Sequence, residues 1–431
     1  MPFHAMSTRR RRRALPVVAP RLALAAAIGL LAVPATTGLR NDAVAASAAA
    51  LPGRPPVGPL ERGDARVHDV AFEVQLATNQ PYQPRVVEPL DGPGRSTWIN
   101  QPLGDRFQLD GGTFFMPVPV ISTWHRTELE TLDATVQLGD RMVPGAAAVG
   151  RLTHRLPFDV QRAEIPFPAF SGESIRFTFR QRSVVWSSRI DDAEAARLPW
   201  PETYPEEVRA GLQPSFGIPS DDPFFAGVVQ ELFGADVTTV PPYVAAKRIA
   251  GHVAQEFRVT RPLLWRGLFE TIDGLFLESS LLQAARQGAG SPADLVLLTV
   301  AVMRSAGIPA RPVLGVTEQA DDDEVGIDDD ETIVVWAEFY LDGAGWVPFD
   351  PDELKRNGSW RNRGPEQAWP RFGTWDDLSR RVPMAYDLRP GPDATSPQRW
   401  AIYGWLPRGT ADAVPTQRVT ISMSGGGRVD A

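Results

Sequence analysis

The chain has 431 residues, 43% hydrophobic and 22% charged, with a formal net charge of −8. That is the balance of a globular protein with room for about two or three domains, so disorder is excluded as the default reading. The excess of acid argues against nucleic acid as a partner, and the absence of cysteine excludes disulfides, thiolate nucleophiles and cysteine-ligated metals. Histidine is sparse: His4, His68, His125, His154 and His252 are the five, none beyond residue 252.

In chain order, residues 1–48 read as an export signal: Arg9 to Arg13, an apolar run from Leu22 to Ala35, then the small residues of "AVAASAAA". The apolar run is short for a membrane span, so cleavage is expected, with membrane contact only through the signal if it stays. The expected location is periplasm, cell envelope or extracellular space. Removing residues 1–45 takes away seven arginines and one aspartate, which moves the formal charge from −8 to about −14. Residues 49–62 are a Pro/Gly-rich linker. Over 63–190 the pattern has period two, with Val70, Phe72, Val74 and Leu76 alternating with Ala71, Glu73, Gln75 and Ala77. Further short runs follow, such as "GTFFMPVPVIST" and "SIRFTFRQRSVVW", and together they predict an antiparallel β-sandwich or barrel.

Residues 191–222 are too rich in proline for long elements and read as a connector. A mixed domain follows over 223–390, opening with helical patterns at "FFAGVVQELFG" and "VAAKRIAGHVAQEF". Residues 391–431 form a C-terminal extension, in which "QRVTISMSGGGRVDA" suits an edge strand or a tail. The acidic run Asp321 to Glu331 reads as a solvated loop. Asp321 and Asp323 also fit two positions of a Ca²⁺ loop, but Val325 and Thr332 stand where further ligands belong, so no metal or other cofactor is expected.

The stretch "SPADLVLLTVAVMRSAGIPARPVLGV", Ser291 to Val316, predicts a helix apolar nearly all round and therefore central to its domain. Ser291 suits the N-cap, Pro292 the first helical position and Asp294 a capping box, while Gly307 closes the helix before a strand. Three motifs then stand in order: "RSAGIPAR" at Arg304 to Arg311, "VVWAEFYL" at Val334 to Leu341, and "GWVPFDP" at Gly345 to Pro351. Together they resemble the transglutaminase-like superfamily over roughly residues 195–390. The resemblance implies an α+β fold, with the β-sandwich followed by a papain-like core in which a buried helix packs on an antiparallel sheet.

It also implies a triad: a cysteine at the start of the helix, a histidine on the following strand and an aspartate after it. The helix dipole and an imidazolium would lower the thiol pKa, and the carboxylate would fix the imidazole tautomer. Here those positions fall on Pro292, Val334 and Asp350, so two of the three groups are missing. Ser291 lies beside the lost nucleophile, but no histidine follows residue 252, and His252 stands on an earlier predicted helix. Glu338 and Asp350 are the carboxylates that remain, and a structural role is the simpler reading for both. Trp336, beside the vacated position, is a candidate to line a groove for peptide or glycan, although most tryptophans belong in a core.

Three functions follow as expectations. The first is an exported pseudoenzyme that binds or scaffolds, with a peptide, peptidoglycan or protein as ligand. The second is a hydrolase or acyltransferase with replaced chemistry, through Ser291 or the carboxylates. The third is a purely structural envelope component.

Overall fold

The structure is a computed structural model that describes residues 58–77, 107–143, 150–215, 217–260, 281–317, 333–386, 404–407 and 416–429. The export signal, most of the linker and the acidic run with Asp321 and Asp323 lie outside the described residues. Among the described residues no helix is long and apolar enough to cross a membrane, and no group of three or more His, Asp and Glu could hold a metal ion.

The first strand, β1 (Leu60–Ala77), starts inside the stretch read as linker, because Leu60 is buried and pairs with Ile190. After it come β2 (Phe107–Leu109), β3 (Gly112–Pro119), β4 (His125–Leu138), β5 (Arg141–Met142), β6 (Gly150–Leu156), β7 (Val160–Phe167), β8 (Phe170–Gly172) and β9 (Ser174–Ile190). Apolar side chains alternate inward along β1 and β9, so two sheets bury them face to face. Phe114 on β3 stacks on Phe177 on β9 with ring centroids 4.5 Å apart, and Phe167 on β7 meets the same ring edge-on at 5.3 Å.

The second domain follows. Its short strands β10 (Arg258–Val259) and β11 (Ala289–Gly290) pair in parallel, just before the central helix Pro292–Ser305. Beyond the helix, β12 (Ala310–Thr317), β13 (Ile333–Leu341), β14 (Gly345–Phe349) and β15 (Arg381–Ala385) form an antiparallel sheet in the order β14-β13-β12-β15. The central helix is buried from Ala293 to Arg304 and packs on β12 and β13. Gly307, at φ 79°, takes the left-handed turn that ends it, and the Ile308 N–H reaches back to the Met303 carbonyl at 2.9 Å.

The chain then returns to the sandwich. β16 (Gly404–Pro407) pairs with β3, and β17 (Thr416–Val429) pairs with β1 from Ala65↔Val429 to Ala77↔Thr416. The two sandwich sheets therefore run β17-β1-β9-β4-β5 and β16-β3-β7-β6. The C-terminal segment is part of the β-sandwich, and the mixed domain is inserted between β9 and β16.

The five-stranded sheet is longer than the sandwich, and the same strands continue over the second domain. There the Ser188 and Trp375 backbones exchange hydrogen bonds of 3.2 and 2.8 Å, and the Trp124 indole donates to the Trp346 carbonyl at 2.9 Å. His68 donates from Nε2 to the Ser379 carbonyl at 2.7 Å.

Candidate functional site

At the start of the central helix, Ser291 holds a full capping box. Its Oγ accepts from the Asp294 N–H at 3.1 Å, and the Asp294 carboxylate accepts from the Ser291 N–H at 2.8 Å. The Ser291 hydroxyl also donates to that carboxylate, at 2.9 Å. Pro292 occupies the first turn, where its missing N–H costs nothing. The serine proton thus points at the carboxylate of its own helix cap, and among the described residues no imidazole accepts it. His252 is half-buried on helix Pro242–Glu256 and is no partner of Ser291.

Along β13, Val334 pairs with Gly315, Trp336 with Val313 and Glu338 with Arg311. Val334 is partly buried against the core. Trp336 does not line a groove: it is 1% exposed, meets Trp375 edge-on at 6.3 Å, and lies so close to Gly315 that a Cβ there would clash at 2.5 Å. Glu338 is buried too, and its Oε2 accepts from Arg311 Nε at 2.8 Å and from Nη2 at 2.6 Å.

Arg311 is the residue that sequence reasoning overlooked. Its guanidinium is boxed by the rings of Tyr386 at 3.7 Å, Trp346 at 4.1 Å and Phe158 at 5.3 Å. Phe158 reaches it from the sandwich through a left-handed backbone, φ 65°. Burial, and then Arg311 itself, push the nearby His125 imidazole down to about 3. His125 is therefore neutral, with Nε2 3.2 Å from the Ser183 and Thr127 hydroxyls. The available signal was the motifs themselves, since Arg311 closes the first and Glu338 lies within the second, and the two stand directly opposite on paired strands.

Asp350 follows β14 and caps the next helix, Pro351–Asn357. One oxygen accepts from the Glu353 N–H at 3.0 Å, and the other accepts from Arg381 Nη1 at 3.3 Å. Arg381 lies over Trp375, 4.6 Å from the ring centroid, and burial lowers its pKa against the opposing pull of Asp350. Arg304, the first arginine of its motif, ties the end of the central helix to the Ala310 carbonyl at 2.8 Å and the Gln213 carbonyl at 2.8 Å.

The central helix packs on β13 and on the helix that Asp350 caps, so the elements bearing Pro292, Val334 and Asp350 are in contact. Their side chains do not form a relay. Both oxygens of Asp350 are engaged elsewhere, and neither proline nor valine can move a proton.

An α+β fold with a buried helix on an antiparallel sheet, and these motifs in this order, defines the class. Residues 234–351 match the family model of the transglutaminase-like superfamily, so this segment of the chain is a transglutaminase-like domain. No curated protein matches the chain. Among solved structures, a candidate cysteine protease from Cytophaga hutchinsonii is 12% identical with a TM-score of 0.48, covering 85% of this chain and 92% of that one. The periplasmic domain of TgpA from Pseudomonas aeruginosa is 16% identical with a TM-score of 0.30, covering 71% and 94%.

Proposed function

We propose that the protein is an exported, catalytically silent member of the superfamily that works in the cell envelope by binding or scaffolding. One observation carries this reading: each triad position does backbone work. Pro292 starts a helix, Val334 fills a strand, and Asp350 caps a helix while paired to Arg381. Acyl transfer in this architecture needs a thiolate and an imidazole, and the chain has no cysteine and no histidine after residue 252. Ser291 and Glu338 offer no substitute, since each is committed to a partner of its own. A peptide, a peptidoglycan stem or a protein is the ligand class this reading implies. Export is supported by the basic, apolar and small-residue sequence of residues 1–48.

The test uses the purified chain with glutamine-containing peptides and an amine donor, and with peptide amides as hydrolysis substrates. No turnover above blank is expected. Turnover abolished by Asp350→Asn or Glu338→Gln in a still-folded protein would overturn the reading. A companion variant, Pro292→Cys with Val334→His and Arg381→Leu, returns the lost groups and releases Asp350. Its thiol should react with a soluble electrophile faster than a surface cysteine does.

A further inference from the structure

Lysine occurs only at positions 247 and 355, although lysine and arginine together number 44. Even the buried cations Arg304 and Arg311 are arginines. Lys247 is the exception, and it is completely buried on helix Pro242–Glu256. Its Nζ hydrogen-bonds Asp192 Oδ1 and donates to the Gln367 carbonyl at 2.8 Å. Three rings surround it: Tyr243 at 4.8 Å, Trp369 at 5.3 Å and Phe372 at 5.4 Å. Asp192 is itself 8% exposed, at the start of the short helix Asp192–Ala195 that leads out of β9. The Tyr243 hydroxyl donates to the same Oδ1 at 2.6 Å.

We propose that Lys247 and Asp192 condense to an intramolecular isopeptide bond, a covalent clasp between the connector and the second domain. A buried ion pair is a weak stabiliser, because desolvating both charges offsets their attraction. What separates lysine from arginine at such a site is that its ammonium can lose a proton and become a nucleophile. Burial lowers the Lys247 pKa against the opposing effect of Asp192, and it raises that of Tyr243 well above its usual range, so the phenol keeps its proton.

The step balances with these groups alone. The Lys247 ammonium passes one proton to the Asp192 carboxylate, giving an amine and a carboxylic acid. Nζ then attacks Cγ while the Tyr243 hydroxyl holds the oxygen on which negative charge builds. The carboxyl hydroxyl leaves as water with a proton from the nitrogen. A C–N bond replaces a C–O bond, and nothing is oxidised or reduced. Contact between the reacting groups supplies the effective concentration, and the aromatic walls exclude the water that would reverse the step. In a chain without cysteine the clasp would do the work of a disulfide without depending on redox conditions.

Intact-mass measurement of the purified full chain, followed by proteolysis and tandem mass spectrometry, decides the matter. The expected result is a mass short by one water and a branched peptide joining the segments around Asp192 and Lys247. Lys247→Arg, which keeps the charge, and Asp192→Ala should each restore the missing water. Tyr243→Phe should lower the linked fraction. A mass equal to that of the sequence, with Asp192 and Lys247 in separate peptides, overturns the proposal. So does a lost water that maps elsewhere, such as a succinimide at an Asp-Gly step.

Discussion

The two ends of the five-stranded sheet bury different chemistry on the same face. Over the sandwich, β1, β9 and β4 turn Val70, Phe72, Val74, Phe177, Phe179, Ala134 and Val136 inward. Over the inserted domain the same strands turn His68, Gln181, Ser183, His125 and Thr127 inward, all nearly inaccessible. The apolar end is held by area and shape, which are non-directional. The polar end is held by named partners: Ser379 and Met384 of the inserted domain for His68 and Gln181, and Ser183 with Thr127, within the sheet itself, for His125. A buried polar group is costly without its partner, so this end fixes how the domain sits as well as that it sits. Stability and orientation are divided between two stretches of one sheet.

The largest expected effect breaks the apolar end. Phe177→Ala removes a ring that contacts both Phe114 and Phe167, and should cost roughly 4–5 kcal/mol by denaturant titration. No single second change should restore it, because the loss is a cavity. Arg311 and Glu338 face the polar end from β12 and β13 of the inserted domain. Arg311→Met leaves Glu338 buried without its cation and should cost about 3–4 kcal/mol, moderated by methionine's contact with the Tyr386 and Trp346 rings. Adding Glu338→Leu should return most of that loss. Recovery at one end and none at the other is the signature of the division. Equal behaviour in both would erase it.

Much of this division was legible in the residues, and the rest depended on tertiary pairing. The period-two run from Val70 to Leu76 announces the apolar end, and "SPAD" announces the helix start before any coordinates. The partners of the polar end are far apart in sequence: His68 and Ser379 are separated by 311 positions. β17 fits an edge strand on sequence grounds, but nothing local says that its partner is β1. Trp336 read as a groove residue because its neighbour had been vacated, whereas packing against Gly315 and Trp375 takes it into the core. The Asp350 to Arg381 pair was hidden as well, since Arg381 lies in none of the motifs and reaches Asp350 from β15, 31 positions away.

A smaller effect sharpens the comparison through pH. His125 titrates near 6.5 when unfolded and about 3 when folded, facing the Arg311 cation and the Ser183 and Thr127 hydroxyls. As pH falls through 6.5 the unfolded chain binds a proton that the folded chain refuses, so unfolding is favoured increasingly down to about 3. Above 6.5 the group contributes no slope. His125→Gln should flatten the difference between denaturation midpoints at pH 7 and pH 5. Phe177→Ala should shift both midpoints and leave the slope, because it carries no titrating group.

The smallest effect concerns Ser291, which lies in neither end of the sheet but beside the position where a nucleophile would act. As a cap it contributes through the Asp294 N–H and carboxylate, so Ser291→Ala should cost about 1 kcal/mol. Ser291→Asn should cost less, since asparagine also caps well. If the hydroxyl did chemistry instead, alanine and asparagine would be equally inactive, and the stability change would not track capping strength. The ranking of three side chains at one position, read by thermal or denaturant melting, therefore separates a helix start from a reaction centre without knowledge of any substrate.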